Sequence, residues 1–256
     1  MRHVRFCMCL AVALALSGAG ASAASAETPE YGRCVKSLPK PGGYATGGCT
    51  SVDTVDNDGA FEWVPGAVKA RFSAAGGAAV FQQVKSESNA RMPCKSVSAT
   101  GEYTGPKTVG NVVMTFTGCE FVPLLCESPG AEEGKAITPA LSGELVWSKR
   151  ARKTVALDLR PPSGVLFLDV ACGGFLFKVK GSVLVNVQTG SMLTVTTQKY
   201  AATRGVQKPS EYETSGGEQI ADFLEMSAGG GPYVQTGLAL TNTQTNEERL
   251  EVNWFA

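Results

Sequence analysis

Apolar and polar residues alternate along this chain in short runs. The clearest is "TVALDLR" (154–160), where Val155, Leu157 and Leu159 fall on one face and Thr154, Ala156, Asp158 and Arg160 on the other. A period of two is that of a half-buried strand. Similar runs are "AFEWV" (60–64), "AVFQQVK" (79–85), "NVVMTFTGC" (111–119) and "GELVWSK" (143–149). "VLFLDVAC" (165–172), "FLFKVKGSVLVNVQ" (175–188) and "MLTVTTQKY" (192–200) continue the series. Gly and Pro separate them, as turns separate strands. "GEQIADFLEM" (217–226) fits a helix through Ile220, Phe223 and Leu224, and a strand through Ile220, Leu224 and Met226. No repeat of fixed period appears, which argues against a propeller or solenoid. The pattern predicts an all-β fold, mainly antiparallel, as a β-sandwich or irregular β-barrel.

The segment from Cys94 to Cys119 reads as one hairpin turning at Gly105-Pro106-Lys107. A turn centred between Pro106 and Lys107 pairs positions whose numbers add to 213, which sets Cys94 opposite Cys119 within disulfide reach. Cys34 with Cys49 would close a Gly- and Pro-rich segment. Cys126 with Cys172 would then be a long-range staple, and a Cys119–Cys126 link is the main alternative pairing.

The first residues change what these cysteines mean. Arg2 and Arg5 precede an unbroken apolar run from Cys7 to Leu16, and Ala21-Ser22-Ala23 and Ala24-Ser25-Ala26 both fit a cleavage site. That is the form of a secretory signal peptide, and the run is too short to span a bilayer. The expected organisation is a signal peptide at 1–26, a Cys-stapled N-terminal loop region at 27–59 and a β domain at 60–256. Six of the eight cysteines remain after cleavage, and an exported chain with an even number is expected to oxidise them. The protein is expected to be secreted, extracellular or associated with the cell surface, with no later transmembrane segment.

Cleavage also removes His3, the chain's one histidine, and leaves 21 basic against 23 acidic residues. Without histidine, Ser-His-Asp and Cys-His catalysis are excluded. Near-neutral charge without a basic block argues against nucleic acid. "KRARK" (149–153), between two strand patterns, reads as a solvated turn.

Other motifs are weak. "SLPK" (37–40) fits S-x-x-K but has Pro and Gly where a helix should start. "GAEEGKA" (130–136) is one residue short of a phosphate loop and lacks its Ser or Thr. "DTVDNDG" (53–59) gathers carboxylates as calcium loops do, but an Asn-Asp-Gly turn explains it. A paired-carboxylate hydrolase needs two acids flanking a cleft. Alternation puts Asp158 on the polar face, so Asp169, on a face with Val165 and Phe167, is the acid to inspect first. Trp63, Tyr103 and Trp147 could stack on sugars, with core packing the commoner role for each. No cofactor or metal is implied.

"YGRCVK", "FEWVPG", "GEYTGPKTVGNVVMTFTGCE", "LSGELVW", "VALDLRP" and "TQTNEE" resemble the recurring blocks of a family of uncharacterised secreted β-rich proteins of actinobacteria. The resemblance implies export and a β-rich fold; it transfers no activity or catalytic residue. The leading expectation is an exported, non-catalytic surface or secreted protein with a binding or structural role, its partner a cell-wall glycan or a surface protein. The alternatives are a carboxylate-based hydrolase of extracellular polysaccharide and a carrier of a small apolar ligand.

Overall fold

The structure is a computed structural model and describes residues 28–38, 41–53, 58–85, 89–121, 123–214 and 216–255. The expected signal peptide, Lys40 of "SLPK" and the middle of "DTVDNDG" lie outside the described residues.

Most of the described residues lie in strands, and no α-helix is among them. In chain order these are β1 (Thr28–Lys36), β2 (Phe61–Pro65), β3 (Arg71–Gly76), β4 (Ala79–Gln83), β5 (Arg91–Cys94), β6 (Ser96–Tyr103) and β7 (Thr108–Thr117). Next come β8 (Glu120–Phe121), β9 (Leu124–Glu127), β10 (Lys135–Ile137), β11 (Leu141–Lys149), β12 (Thr154–Arg160), β13 (Leu168–Cys172) and β14 (Phe175–Gly181). The last are β15 (Val183–Asn186), β16 (Leu193–Thr203), β17 (Val206–Lys208), β18 (Glu211–Glu213), β19 (Gln219–Ala221), β20 (Leu224–Ala228) and β21 (Val234–Phe255). One 3-10 turn, Arg150–Arg152, joins β11 to β12.

Eight antiparallel strands close into a barrel in the order β3, β6, β7, β11, β12, β15, β16, β21 and back to β3. A barrel of this size has an interior just wide enough for side chains to fill. Val97, Met114, Leu141, Leu145, Trp147, Val155, Leu157, Leu159, Val183 and Val185 are buried. Gly143 makes room among them: a Cβ there would stand 2.7 Å from Val109 Cγ2 and 2.9 Å from Leu157 Cδ1.

The Cys94–Cys119 segment is a hairpin with the expected register near the disulfide, from Ser96↔Thr117 to Thr100↔Val113. Beyond Gly101 the pairing slips by one, to Glu102↔Gly110. Asn111, at φ 49°, is the extra residue of a bulge in β7. The tip is clamped at both sides, because Pro106 O accepts from Tyr31 N at 2.5 Å and Lys107 O accepts from Leu145 N at 2.9 Å.

A second sheet runs β5, β4, β21, β20, β14, β13, β9. The 22-residue β21 belongs to both layers. It pairs with β20 and β4 at its start, with β16 and β3 in its middle and with β1 at its end. Phe81 of β4 meets Phe116 of β7 edge-on at 5.1 Å, so the two layers share one core.

Three disulfides form as expected: Cys34–Cys49, Cys94–Cys119 and Cys126–Cys172. Cys126 and Cys172 sit directly opposite each other on β9 and β13.

Two expectations change and one open reading is resolved. The segment read as a stapled loop begins with a nine-residue strand, β1, which pairs with β2 and with the end of β21. "GEQIADFLEM" is two strands, β19 and β20, parted by Asp222 and Phe223. "VLFLDVAC" becomes strand only at Leu168, so Val165 is exposed and does not share a face with Asp169.

Candidate functional site

Asp158 is the acid that stands out. It lies on the outward face of β12, and alternation assigned it to solvent. Outward from the barrel is here not outward from the protein. Asp158 is 2 % exposed, with Asp222 and Tyr212 gathered about it and Ser182 against Asp222. Asp222, 5 % exposed, lies just after β19 with its carboxyl beside that of Asp158, and Asp158 Oδ1 and Asp222 Oδ2 are both buried without a hydrogen-bond partner while the two acids are ionised. Ser182 Oγ donates to Asp222 Oδ1, and Asp222 N donates to Ser210 O at 2.8 Å.

Arg160 is the cation of the cluster. It reaches Asp158 Oδ2 at 3.0 Å and Glu144 Oε2 at 3.3 Å. Burial pushes the Asp158 carboxyl up to about 7; the charge of Asp222 adds to the rise and Arg160 opposes it. Asp222 is raised too, mainly by burial, while its bonds to Ser182 and Asp158 pull the other way. Two touching carboxyls cannot both ionise away from water, so the pair titrates as a unit and holds a proton well above the usual carboxylate range. The nearby Tyr212 hydroxyl is also raised by burial first and by Asp158 next.

This geometry differs from that of a glycoside hydrolase. Its two acids stand about 5–10 Å apart across an open cleft. Asp158 and Asp222 are in contact and sealed. Asp169, the acid singled out from sequence, is half-buried on β13 opposite Lys178. Its backbone oxygen accepts from Ser128 Oγ at 2.9 Å. It is the one acid among the residues lining an open cleft of about 550 Å³.

The aromatic candidates are structural. Trp147 is buried and packs edge-on against Trp254 at 5.5 Å. Trp63 lies over Gly32 and donates from Nε1 to Glu30 Oε1 at 2.7 Å. Tyr103 points into the barrel, where its ring meets Tyr31 at 4.8 Å.

Tyr103 also leads to a feature the sequence reading missed. The inward side chains of β21 include Asn242, Gln244 and Asn246, all buried, and Gln198 of β16 is buried beside them. Gln198 Nε2 donates to Gln244 Oε1 at 2.6 Å, Gln244 Nε2 donates to Tyr103 Oη at 3.0 Å, and Tyr103 Oη donates to Asn246 Oδ1 at 2.9 Å. One wall of the barrel interior is therefore polar; Gln198, Gln244, Tyr103 and Asn246 bond to one another, while Asn242 Oδ1 is buried without a partner. These groups border a cavity of about 40 Å³, with Glu251 at its edge. That volume holds roughly two or three waters. Burial raises the Glu251 carboxyl to about 7 against the amide of Asn253, which donates to Glu251 Oε1 at 3.2 Å.

Among the described residues, no group of three or more Cys, His, Asp or Glu side chains could hold a metal ion. No helix among them is long and apolar enough to cross a membrane. The outward positions of the barrel strands β21, β3 and β6 include Thr241, Thr243, Thr245, Ser73, Ser98 and Thr100, a polar surface unlike the apolar band of a lipid-facing barrel. No protein-family model, curated protein or solved structure matches the chain.

Proposed function

We propose that this chain is an exported bacterial protein with a non-catalytic binding or structural role, secreted or held at the cell surface. The observation that carries the reading is the stapled double layer. Three disulfides tie neighbouring segments of one continuous core, as suits an oxidising compartment outside the cytoplasm. The leader-like N-terminus and the resemblance to secreted actinobacterial proteins support the same compartment. A rigid frame with open clefts on its outside presents a surface rather than enclosing a reaction. The partner expected is a cell-wall glycan or a surface protein.

One observation favours a second reading, a carboxylate hydrolase: the proton-holding Asp158–Asp222 pair. Its contact and burial weigh toward a structural role, since no substrate atom can reach between the two acids as they stand. The apolar-carrier reading has less support, because the barrel cavity is small and lined by amides and hydroxyls as well as by Val187, Leu250 and Val252.

The test is a binding screen of the oxidised protein against cell-wall glycans, lipids and extracted surface proteins, run beside hydrolysis assays on extracellular polysaccharides. Saturable binding without turnover is the expected result. Turnover abolished by Asp158→Asn would overturn the proposal in favour of hydrolysis.

A further inference from the structure

The barrel is least well closed where β15 meets β16. Only Asn186↔Lys199 is paired there, against seven residue pairs between β16 and β21 on the other side. As the strands part, they leave an outer groove of about 520 Å³. The end of β11 and the 3-10 turn supply Lys149 and Arg152, and the end of β17 supplies Lys208. Glu211 is the one acid in the lining, so three cations against one anion give it a net charge of +2. Among the described residues no carboxylate pairs with Lys149, Arg152 or Lys208.

Beside Ala201 and Pro209, the neutral part of the lining is polar. Ser148, Thr154 and Ser210 offer hydroxyls, and Asn186 and Gln207 offer amides. Ser148 Oγ donates to Thr154 O at 3.1 Å and lies 3.2 Å from Asn186 Oδ1. The Asn186 side-chain nitrogen has no hydrogen-bond partner among the described residues.

We propose that this groove binds an acidic glycan, a chain of sugars bearing carboxylate or phosphate groups. The proposal rests on the reading of the protein as a binding protein and names its ligand class and site. Three cations with a single acid among them repel one another on balance, and an anion relieves that repulsion. The fork of Arg152 matches a carboxylate or a phosphate in two-point contact, with Lys149 and Lys208 as point charges beside it. Hydroxyl and amide groups suit the sugar hydroxyls between the acidic groups. No aromatic ring lines the groove, so the stacking that holds neutral sugars or bases is not what it offers. "KRARK", read from sequence as a solvated turn, thus supplies two of the three cations.

The test is calorimetric titration of the oxidised protein with three probes: an oligogalacturonate, an oligomer of glycerol phosphate and a neutral malto-oligosaccharide. An acidic probe is expected to bind, more weakly as salt screens the charges. The triple variant Lys149→Ala/Arg152→Ala/Lys208→Ala is expected to lose roughly tenfold or more in affinity, as loss of charge-assisted bonds implies. The control Arg91→Ala, an exposed cation at the start of β5 and outside the groove lining, is expected to leave binding unchanged. Preference between the two acidic probes assigns the charge to carboxylate or phosphate. Binding of an acidic probe equally by wild type and triple variant would overturn the groove and keep the binding protein, as would binding of the neutral probe alone. No binding here, with none in the wider screen, would overturn both.

Discussion

The buried carboxyl of Asp158, on the outer wall of the barrel, faces the buried carboxyl of Asp222, at the foot of the β18–β19 hairpin. A proton held by the pair lets two such acids stay side by side away from water.

The first expected consequence is a dependence on pH. Asp158 titrates near 3.8 when unperturbed and about 7 in the folded protein. Between those values the folded state keeps a proton that the unfolded chain has lost. The contribution is therefore full below about pH 4 and falls away as pH rises toward 7, by at most ~1.4 kcal/mol per pH unit for one proton. Asp158→Asn keeps a polar group of the same shape and removes the titration. Its urea midpoint should fall less than that of wild type between pH 5 and pH 8. Parallel curves would show that the pair does not carry the effect.

The disulfide at the base of the β6–β7 hairpin should matter for stability. The double variant Cys94→Ala/Cys119→Ala is expected to lose ~2–4 kcal/mol, as for other native disulfides. Equilibrium denaturation at fixed pH measures it. Mapping under non-reducing conditions should yield the Cys94–Cys119 peptide and no Cys119–Cys126 peptide.

Inside the barrel, Tyr103→Phe removes a hydroxyl that both accepts from Gln244 and donates to Asn246. Leaving those amides short of a partner should cost about 1–3 kcal/mol. An unchanged melting temperature would show that water replaces the hydroxyl without loss.

Gly143→Ala should destabilise although alanine is the better strand former. Its methyl group would press on Val109, Leu157 and Leu159, each under 3.0 Å away. Overpacking of this kind costs about 1–3 kcal/mol. Relief by the second change Leu157→Val would identify crowding as the cause.

Much of the architecture was legible because strand alternation is a local signal. The register near Cys94 and Cys119 followed from counting alone, and the bulge at Asn111 did not, since nothing in "VGNVV" announces an extra residue. The burial of Asp158 was hidden for a different reason. Alternation tells which face of β12 a residue takes, but not whether a second layer covers that face. Asp222 and Ser182 come from segments far along the chain, and no local pattern links them to Asp158. In "TNTQTNEE" both faces are polar, so hydropathy does not reveal that Asn242, Gln244 and Asn246 turn inward while the threonines turn out. The cations of the groove were visible as "KRARK", but Lys208 joins them only through the divergence of β15 and β16.

The position of β21 governs when the molecule can assemble. This last strand completes the barrel between β16 and β3, enters the second sheet between β4 and β20, and pairs with the first strand, β1. Until β21 is in place, the barrel stays open between β16 and β3 and the second sheet stays split between β4 and β20. Bringing together strands so distant along the chain is slow, because loop closure must come before the contacts that reward it. Until then unpaired strand edges stand exposed, the state in which β-rich chains aggregate.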